Sequence, residues 1–272
     1  MRLLLLGGTG RLGRHVREVA PEAVAPTRRE LDLETVDEAA LRAALRGMTA
    51  VLNCAAEANV DACEVGDRGP RLNTRLPALL AAAAEAEDVA LLHVSTDYVF
   101  GGPEAPVGPF PEDAVPGPAQ RYGQTKAEGE AAVLAAGGRR AVARVSWLFG
   151  PTVQPFAGFV LGQEAPVEVL DQASRPTWLP DLARWLVAAS GRLAEGVAVP
   201  PILHPAGGPH ATREDWARAV LQAAGRQDPI HIGPAPQLPA DRPVDSRLDA
   251  SRTQAWERAA RMPAIADWRD RI

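Results

Sequence analysis

The chain opens with an apolar run over residues 2–6. Gly7-Gly8-Thr9-Gly10-Arg11-Leu12-Gly13 follows at once, and an amphipathic stretch runs from Leu12 to Val19. The pattern reads as strand, tight turn and helix. The turn matches G-x-x-G-x-x-G and, one residue later, G-x-G-x-x-G. Glycines strip side chains from the place where a helix begins, so free N–H groups and the positive helix end can hold a pyrophosphate there. The plain alternative is a glycine turn without a ligand, and the position directly after a first strand argues against it.

Beyond the turn, strands alternate with helices. Ala23 to Pro26 reads as a second strand, Val36 to Leu45 as a helix, Ala50 to Asn53 as a short apolar strand, and Leu76 to Ala86 as an alanine-rich helix. A strong strand over Val89 to Ser95, a helix over Tyr122 to Ala136 and a strand over Ala141 to Val145 follow. Such alternation predicts a parallel sheet covered on both faces, with ligands at the carboxyl ends of its strands. The expected fold class is α/β: a Rossmann-like, doubly wound parallel sheet with a smaller, discontinuous substrate-binding lobe. The dinucleotide-binding domain is placed at 1–150. Residues 177–203, with a helix near Leu182 to Ser190 and a strand near Val197 to Leu203, are expected to return to it. The lobe is placed at 151–176 and 204–272, where prolines 151, 155, 166 and 176 interrupt short elements. At 272 residues, 46% hydrophobic and 23% charged, the chain can bury a core of that size and does not have a disordered composition.

A net charge of −5 without any basic run argues against a dedicated nucleic-acid binder and for a small-molecule partner. Four leucines before Gly7 are too few for a secretory segment, which needs roughly 7 to 15 apolar residues, or for a membrane helix of about 20. A cytoplasmic protein with no membrane partner is therefore expected. Cys54 and Cys63 make no C-x-x-C pair and the five histidines have no zinc-ligand spacing, so no metal is expected. The oligomeric state stays open, with a homodimer among the options.

The region after the second strand reads Thr27-Arg28-Arg29-Glu30. Arg28 and Arg29 suit the 2′-phosphate of NADP(H), whereas Glu30 would favour the free ribose of NAD(H). The arginines favour NADP(H), with NAD(H) as the alternative and a solvated arginine loop as the plain reading. Lys126 is the single lysine of the chain, and Tyr98 and Tyr122 are its only tyrosines. Tyr122 and Lys126 stand one helical turn apart, so phenol and ammonium can share a helix face. A phenol titrates near 10, and a nearby ammonium would lower that value. In reduction the phenol would protonate a carbonyl oxygen as hydride arrives. Ser95-Thr96-Asp97-Tyr98-Val99-Phe100 closes the strongest strand, where Thr96 could bond the same oxygen; a strand end capped by Ser, Thr and Asp is the bland reading. His93 and both cysteines read as structural.

These segments together resemble the extended short-chain dehydrogenase/reductase family, in its dTDP-4-dehydrorhamnose reductase branch. The resemblance spans most of the chain. It rests on Gly7 to Gly13, Val51 to Ala56, Val60-Asp61 with Glu64, Leu72-Asn73, Ser95 to Phe100, Tyr122 to Lys126 and Arg144 to Trp147. Asp171-Gln172, Pro176-Thr177, Arg242-Pro243 and Ser246-Arg247-Leu248 add to it. The resemblance implies Thr96, Tyr122 and Lys126 as the catalytic set, with Lys126 lowering the pKa of the phenol and anchoring the nicotinamide ribose. It implies Asp97, Tyr98 and Trp147 as sugar contacts. The implied cofactor contacts are Gly7, Gly10, Arg11, Leu12 and Gly13 in the turn, Asp32 and Leu33 beside the adenine, Ala55, Ala56 and Asn73, together with Tyr122 and Lys126. The implied reaction is NADPH-dependent reduction of the 4-keto group of dTDP-4-dehydro-6-deoxy-L-mannose to dTDP-L-rhamnose. Related dehydratases carry a Glu where this chain has Tyr98, which favours simple reduction. Glu57-Ala58-Asn59 and Pro155-Phe156 depart from the family pattern, leaving another keto-sugar nucleotide as an alternative substrate. A non-catalytic NADP-binding regulatory subunit like the methionine adenosyltransferase β subunit is the alternative from another class.

Overall fold

The computed structural model describes residues 1–104, 106–151, 154–233 and 238–272. Its first half contains β1 (Leu3–Leu6), α1 (Arg11–Val19), α2 (Glu38–Leu45), β2 (Ala50–Asn53), α3 (Val60–Val65), α4 (Leu76–Ala86), β3 (Ala90–Thr96), α5 (Arg121–Ala135) and β4 (Arg140–Val145). Its second half contains β5 (Leu148–Phe149), α6 (Pro155–Leu161), β6 (Val167–Leu170), β7 (Ala173–Ser174), β8 (Thr177–Trp178) and α7 (Leu179–Ala194). After these come β9 (Ile202–Leu203), β10 (Ala211–Thr212), α8 (Arg213–Ala223), β11 (Ile230–Gly233) and α9 (Ser251–Ala260).

The main sheet is parallel in the order β1-β2-β3-β4-β9. Because side chains alternate along a strand, Leu3 and Leu5 join one core with Leu12, Val16 and Trp185, while Leu4 and Leu6 join another with Leu41, Leu76 and Leu80. Helices α1 and α7 thus cover one face, and α2, α4 and α5 the other. The chain leaves β1 to touch it again at Val24 on one side, then returns to build β2 on the other. That reversal opens a crevice at the carboxyl ends of β1 and β2, beside the glycine turn.

Two expected strands are shorter than the sequence suggests. Residues 23–26 make only one bridge, Leu4 to Val24, held by Leu5 N to Val24 O at 2.8 Å and Val24 N to Leu3 O at 2.9 Å. The strand expected over 197–203 shrinks to Ile202–Leu203, since Pro200 and Pro201 have no N–H to give to a ladder. Helix α7 starts three residues before the expected Leu182, because Pro180 is tolerated in a first turn.

A second core joins Phe149, Val160, Val167, Val169, Trp216 and Val220 from the later elements. Trp256, Met262 and Ile265, within the stretch assigned to the lobe from sequence, pack instead against the main core, with Trp256 edge-on to Trp185 at 6.0 Å. The 204–272 stretch therefore serves both cores. Under α5, Arg144 and Glu130 form an ion pair at 2.8 Å with side chains 1% and 2% exposed, and the Arg144 guanidinium lies over Phe100. No helix among the described residues is long and apolar enough to cross a membrane.

Candidate active site

The glycine turn is built for close approach. Gly7 sits at φ +81°, and a Cβ there would lie 2.7 Å from the Ala55 nitrogen. A Cβ on Gly13 would lie 2.1 Å from the Gly7 oxygen, so glycine lets α1 pack directly on the turn. No side chain caps α1, and its first helical bond runs from Arg14 N to Gly10 O at 3.0 Å. The amides of Arg11, Leu12 and Gly13 precede that bond and are left for an outside acceptor. The Arg11 side chain is exposed and Leu12 is buried.

A cavity of about 230 Å³ continues from this turn, lined by Gly7, Gly10, Asp32, Leu33, Ala55 and Ala56 among others. Arg28 lines it, pairing with Glu34 at 2.9 Å and Asp32 at 3.5 Å. Arg29 does not line it and is exposed, because the turn directs only one of two consecutive side chains inward. Arg68 takes the second cationic place, reaching Glu34 at 3.0 Å and Glu57 at 2.9 Å. Glu30 is spent on Thr27, whose N and Oγ1 donate to its carboxylate at 2.8 and 2.9 Å, so Asp32 and Glu34 are the acids that line the cavity. Asn73 is also spoken for: its Nδ2 donates to Glu57 O and Thr125 Oγ1, and its Oδ1 accepts from Glu57 N. It fastens the loop after β2 to α5 and does not line the cavity.

Thr96 ends β3, and Tyr122 and Lys126 rise from the first turns of α5. Burial pushes the Tyr122 phenol well above its ordinary value, opposed by a hydrogen bond with Thr96 and reinforced by Asp97, Cys63 and Tyr98. The phenol is therefore protonated throughout the neutral range. Lys126 is not among the groups that act on the phenol in the ligand-free protein. Although the two side chains share a helix face, the long lysine stem dives to the sheet, where Nζ donates to Val94 O at 2.7 Å and lies 3.4 Å from His93 Nε2. Burial brings Lys126, 1% exposed, down to about 8 against the pull of Glu130, Cys54 and Cys63.

Asp97 faces the other side of Thr96. Its Oδ1 accepts from Thr96 Oγ1 at 3.2 Å, and its Oδ2 accepts from Ser174 Oγ at 2.6 Å and Ser246 Oγ at 2.7 Å. Burial pushes its carboxyl up to about 6, against these hydroxyls and Arg213. One carboxylate thus pins β7 and the late Ser246 segment to the end of β3.

A cavity of about 880 Å³ opens beside Tyr98, lined by Trp147, Phe156, Gln172, Arg213 and Trp216 among others. The Arg213 guanidinium stacks over Trp147 at 3.8 Å, Phe156 at 4.7 Å and Trp216 at 5.5 Å. The Tyr98 and Tyr122 rings meet edge to face at 6.2 Å, so the phenol borders this cavity's wall. Trp147 holds a positive φ of 37°, and its buried Nε1 has no hydrogen-bond partner among the described residues. Sequence reasoning missed Arg213, Glu34 and Arg68. The only available signal for the cleft pair was charge close to the Asp32-Leu33 and Asn73 segments.

The RmlD substrate binding domain model matches residues 1–272. A dTDP-4-dehydrorhamnose reductase of Mycolicibacterium smegmatis is 33% identical over 100% of this chain and 84% of its own length. A probable dTDP-4,6-dihydroxy-2-methyloxan-3-one 4-ketoreductase of Streptomyces antibioticus is 36% identical over 100% of this chain and 93% of its own. The crystal structure of the dTDP-4-dehydrorhamnose reductase of Bacillus anthracis in complex with NADP superposes with a TM-score of 0.81, at 21% identity, over 99% of this chain and 96% of that one.

Proposed function

Since the chain belongs to the RmlD substrate binding domain family, we propose that it is an NADPH-dependent reductase acting on the 4-keto group of dTDP-4-dehydro-6-deoxy-L-mannose to give dTDP-L-rhamnose. The observation that carries this reading is the half-buried, protonated Tyr122 phenol, set beside Thr96 and edge to face on Tyr98 where the glycine-turn side of the sheet meets the aromatic cavity. The uncapped start of α1 would take the pyrophosphate, Asp32 and Leu33 would flank the adenine, and Arg28 with Arg68 would face the 2′-phosphate. Bound there, the dihydronicotinamide supplies the hydride. Tyr122 gives its proton to the carbonyl oxygen, and burial keeps that proton in place until the oxygen becomes basic. Thr96 orients the phenol, Asp97 fixes Thr96, and Tyr98 and Trp147 border the sugar. The natural setting of this reading is the cytoplasm, with a nucleotide sugar as partner. We assign the cofactor to residues 1–150, with 177–203 returning to them, and the sugar to the boundary with the lobe of 151–176 and 204–272, a division the two cavities support.

Tyr122→Phe is expected to lose about 10²–10⁴-fold in kcat while still binding cofactor. NADPH oxidation by the variant, followed at saturating keto-sugar, measures this; undiminished turnover removes Tyr122 from the reaction. A second reading, reduction of another keto-sugar nucleotide, is favoured by the resemblance to the Streptomyces antibioticus ketoreductase and by the Arg213 stack on Phe156. Comparing kcat/KM on several dTDP-linked keto-sugars separates the two.

A further inference from the structure

Beneath the candidate site, four polar groups form a chain whose direction is fixed at one end. The Ala55 backbone N–H can only donate, and it donates to Asn53 Oδ1 at 3.1 Å. That sets the amide orientation of Asn53, so its Nδ2 donates to His93 Nδ1 at 3.1 Å. Burial holds His93 neutral, well below its ordinary pKa, and it is fully enclosed. A neutral imidazole accepting at Nδ1 carries its hydrogen on Nε2. That hydrogen points at Lys126 Nζ, 3.4 Å away, while Nζ donates to Val94 O at 2.7 Å. An amine nitrogen meets the His93 N–H with its lone pair; an ammonium meets it with a third hydrogen.

We propose that His93 is a positioning residue that holds the Lys126 nitrogen toward its neutral form, through a hydrogen-bond chain polarised by the Ala55 amide at the lip of the glycine-turn cavity. The inference rests on the reading of Lys126 as part of the catalytic set. The groups facing Nζ are His93 and the Val94 carbonyl of β3, Cys54 after β2, Cys63 of α3 and Glu130 on α5. Both thiols are themselves pushed up by burial, to about 12 and about 11, and stay uncharged. Glu130 favours the charged lysine and burial opposes it; the His93 N–H, aimed at Nζ from 3.4 Å, adds to that opposition in our proposal. With a value of about 8 roughly a tenth of the lysine is neutral at pH 7 and more above it, and that fraction takes up a proton when acceptor oxygens enter from the cleft, which couples its charge to occupancy of that cleft.

Lys126 is the only lysine, so lysine labelled at the side chain gives one resonance whose shift reports its titration. In the ligand-free protein the titration is expected near about 8, below the free-amine range. In His93→Phe, which loses the N–H but keeps a ring, it is expected to rise by about one unit, a tenfold change in proton affinity. Mere packing by His93 predicts no change or a fall, since the site becomes less polar. Imidazole nitrogen shifts of the unmutated protein give a second readout that needs no variant, and the Nε2–H tautomer is expected for His93. The Nδ1–H tautomer, or a folded His93→Phe in which the lysine titration stays put or falls, overturns the proposal. A protein with the coupling that reduces no keto-sugar keeps this inference and loses the proposed reaction; the reverse pattern does the opposite.

Discussion

The glycine-turn cleft and the aromatic cavity recognise ligands by opposite means. The cleft is made of backbone: uncapped amides of α1 and two close approaches that exclude even a methyl group. The cavity is made of side chains, with Arg213 held against Trp147, Phe156 and Trp216 from three separate stretches. Backbone geometry is set locally and tolerates almost any neighbour, while the stack exists only when the second core is packed. The cleft should therefore fail sterically, one glycine at a time, and the cavity should fail cooperatively.

The widest separation comes from Trp216→Ala. It removes a buried ring shared by the core and the stack, and about 3–5 kcal/mol of stability is expected to go with it. Urea unfolding measures the loss, and dinucleotide binding by whatever remains folded at low temperature should be unaltered. Equal damage to both regions would erase the distinction. Asp97 tests the seam between them. Its carboxyl lies near 3.8 when unfolded and at about 6 when folded, so the stability it contributes is complete below its unfolded value and lost as pH rises through about 6. Relative to Asp97→Asn, the native protein should lose on the order of 3 kcal/mol across that window. Unfolding curves of the two proteins at several pH values check this, and a constant gap between them contradicts it.

Gly13→Ala sharpens the backbone side. Its methyl group has nowhere to go beside the Gly7 oxygen, and overpacking of about 1–3 kcal/mol should appear as a roughly tenfold to hundredfold loss of dinucleotide affinity by calorimetry. The smallest effect concerns the exception within the cleft, where side chains do matter. Arg68→Ala should weaken adenosine 2′,5′-bisphosphate about three- to tenfold and leave ADP nearly unchanged, with Arg29→Ala silent for both. Matching losses for the two nucleotides would detach Arg68 from the phosphate.

The same contrast explains what could be read in advance. The glycine turn, the alternating elements and the shared helix face of Tyr122 and Lys126 are local patterns, and the chain displays them in consecutive residues. The Arg213 stack was invisible because residues 147, 156, 213 and 216 converge only through tertiary packing. Arg29 and Glu30 stand out by their positions in a loop, where direction is decided by hydrogen bonds such as Thr27 to Glu30, and it is Arg68 and Glu34 that line the cavity. Asn73, which the family resemblance implies as a cofactor contact, spends its side chain on its own fold, on Glu57, Cys63 and Thr125. Helical spacing put lysine beside tyrosine, but spacing is silent on how far a flexible stem will reach.

Glu130 stands one turn beyond Lys126 and is the anion nearest to hand for two buried cations, of which Arg144 has captured it with a two-pronged grip. The lysine is left without a dedicated counter-ion as a result of that contest. Replacing Arg144 by an uncharged residue would leave Glu130 free to act on Lys126 alone, and the single lysine resonance should then titrate above about 8.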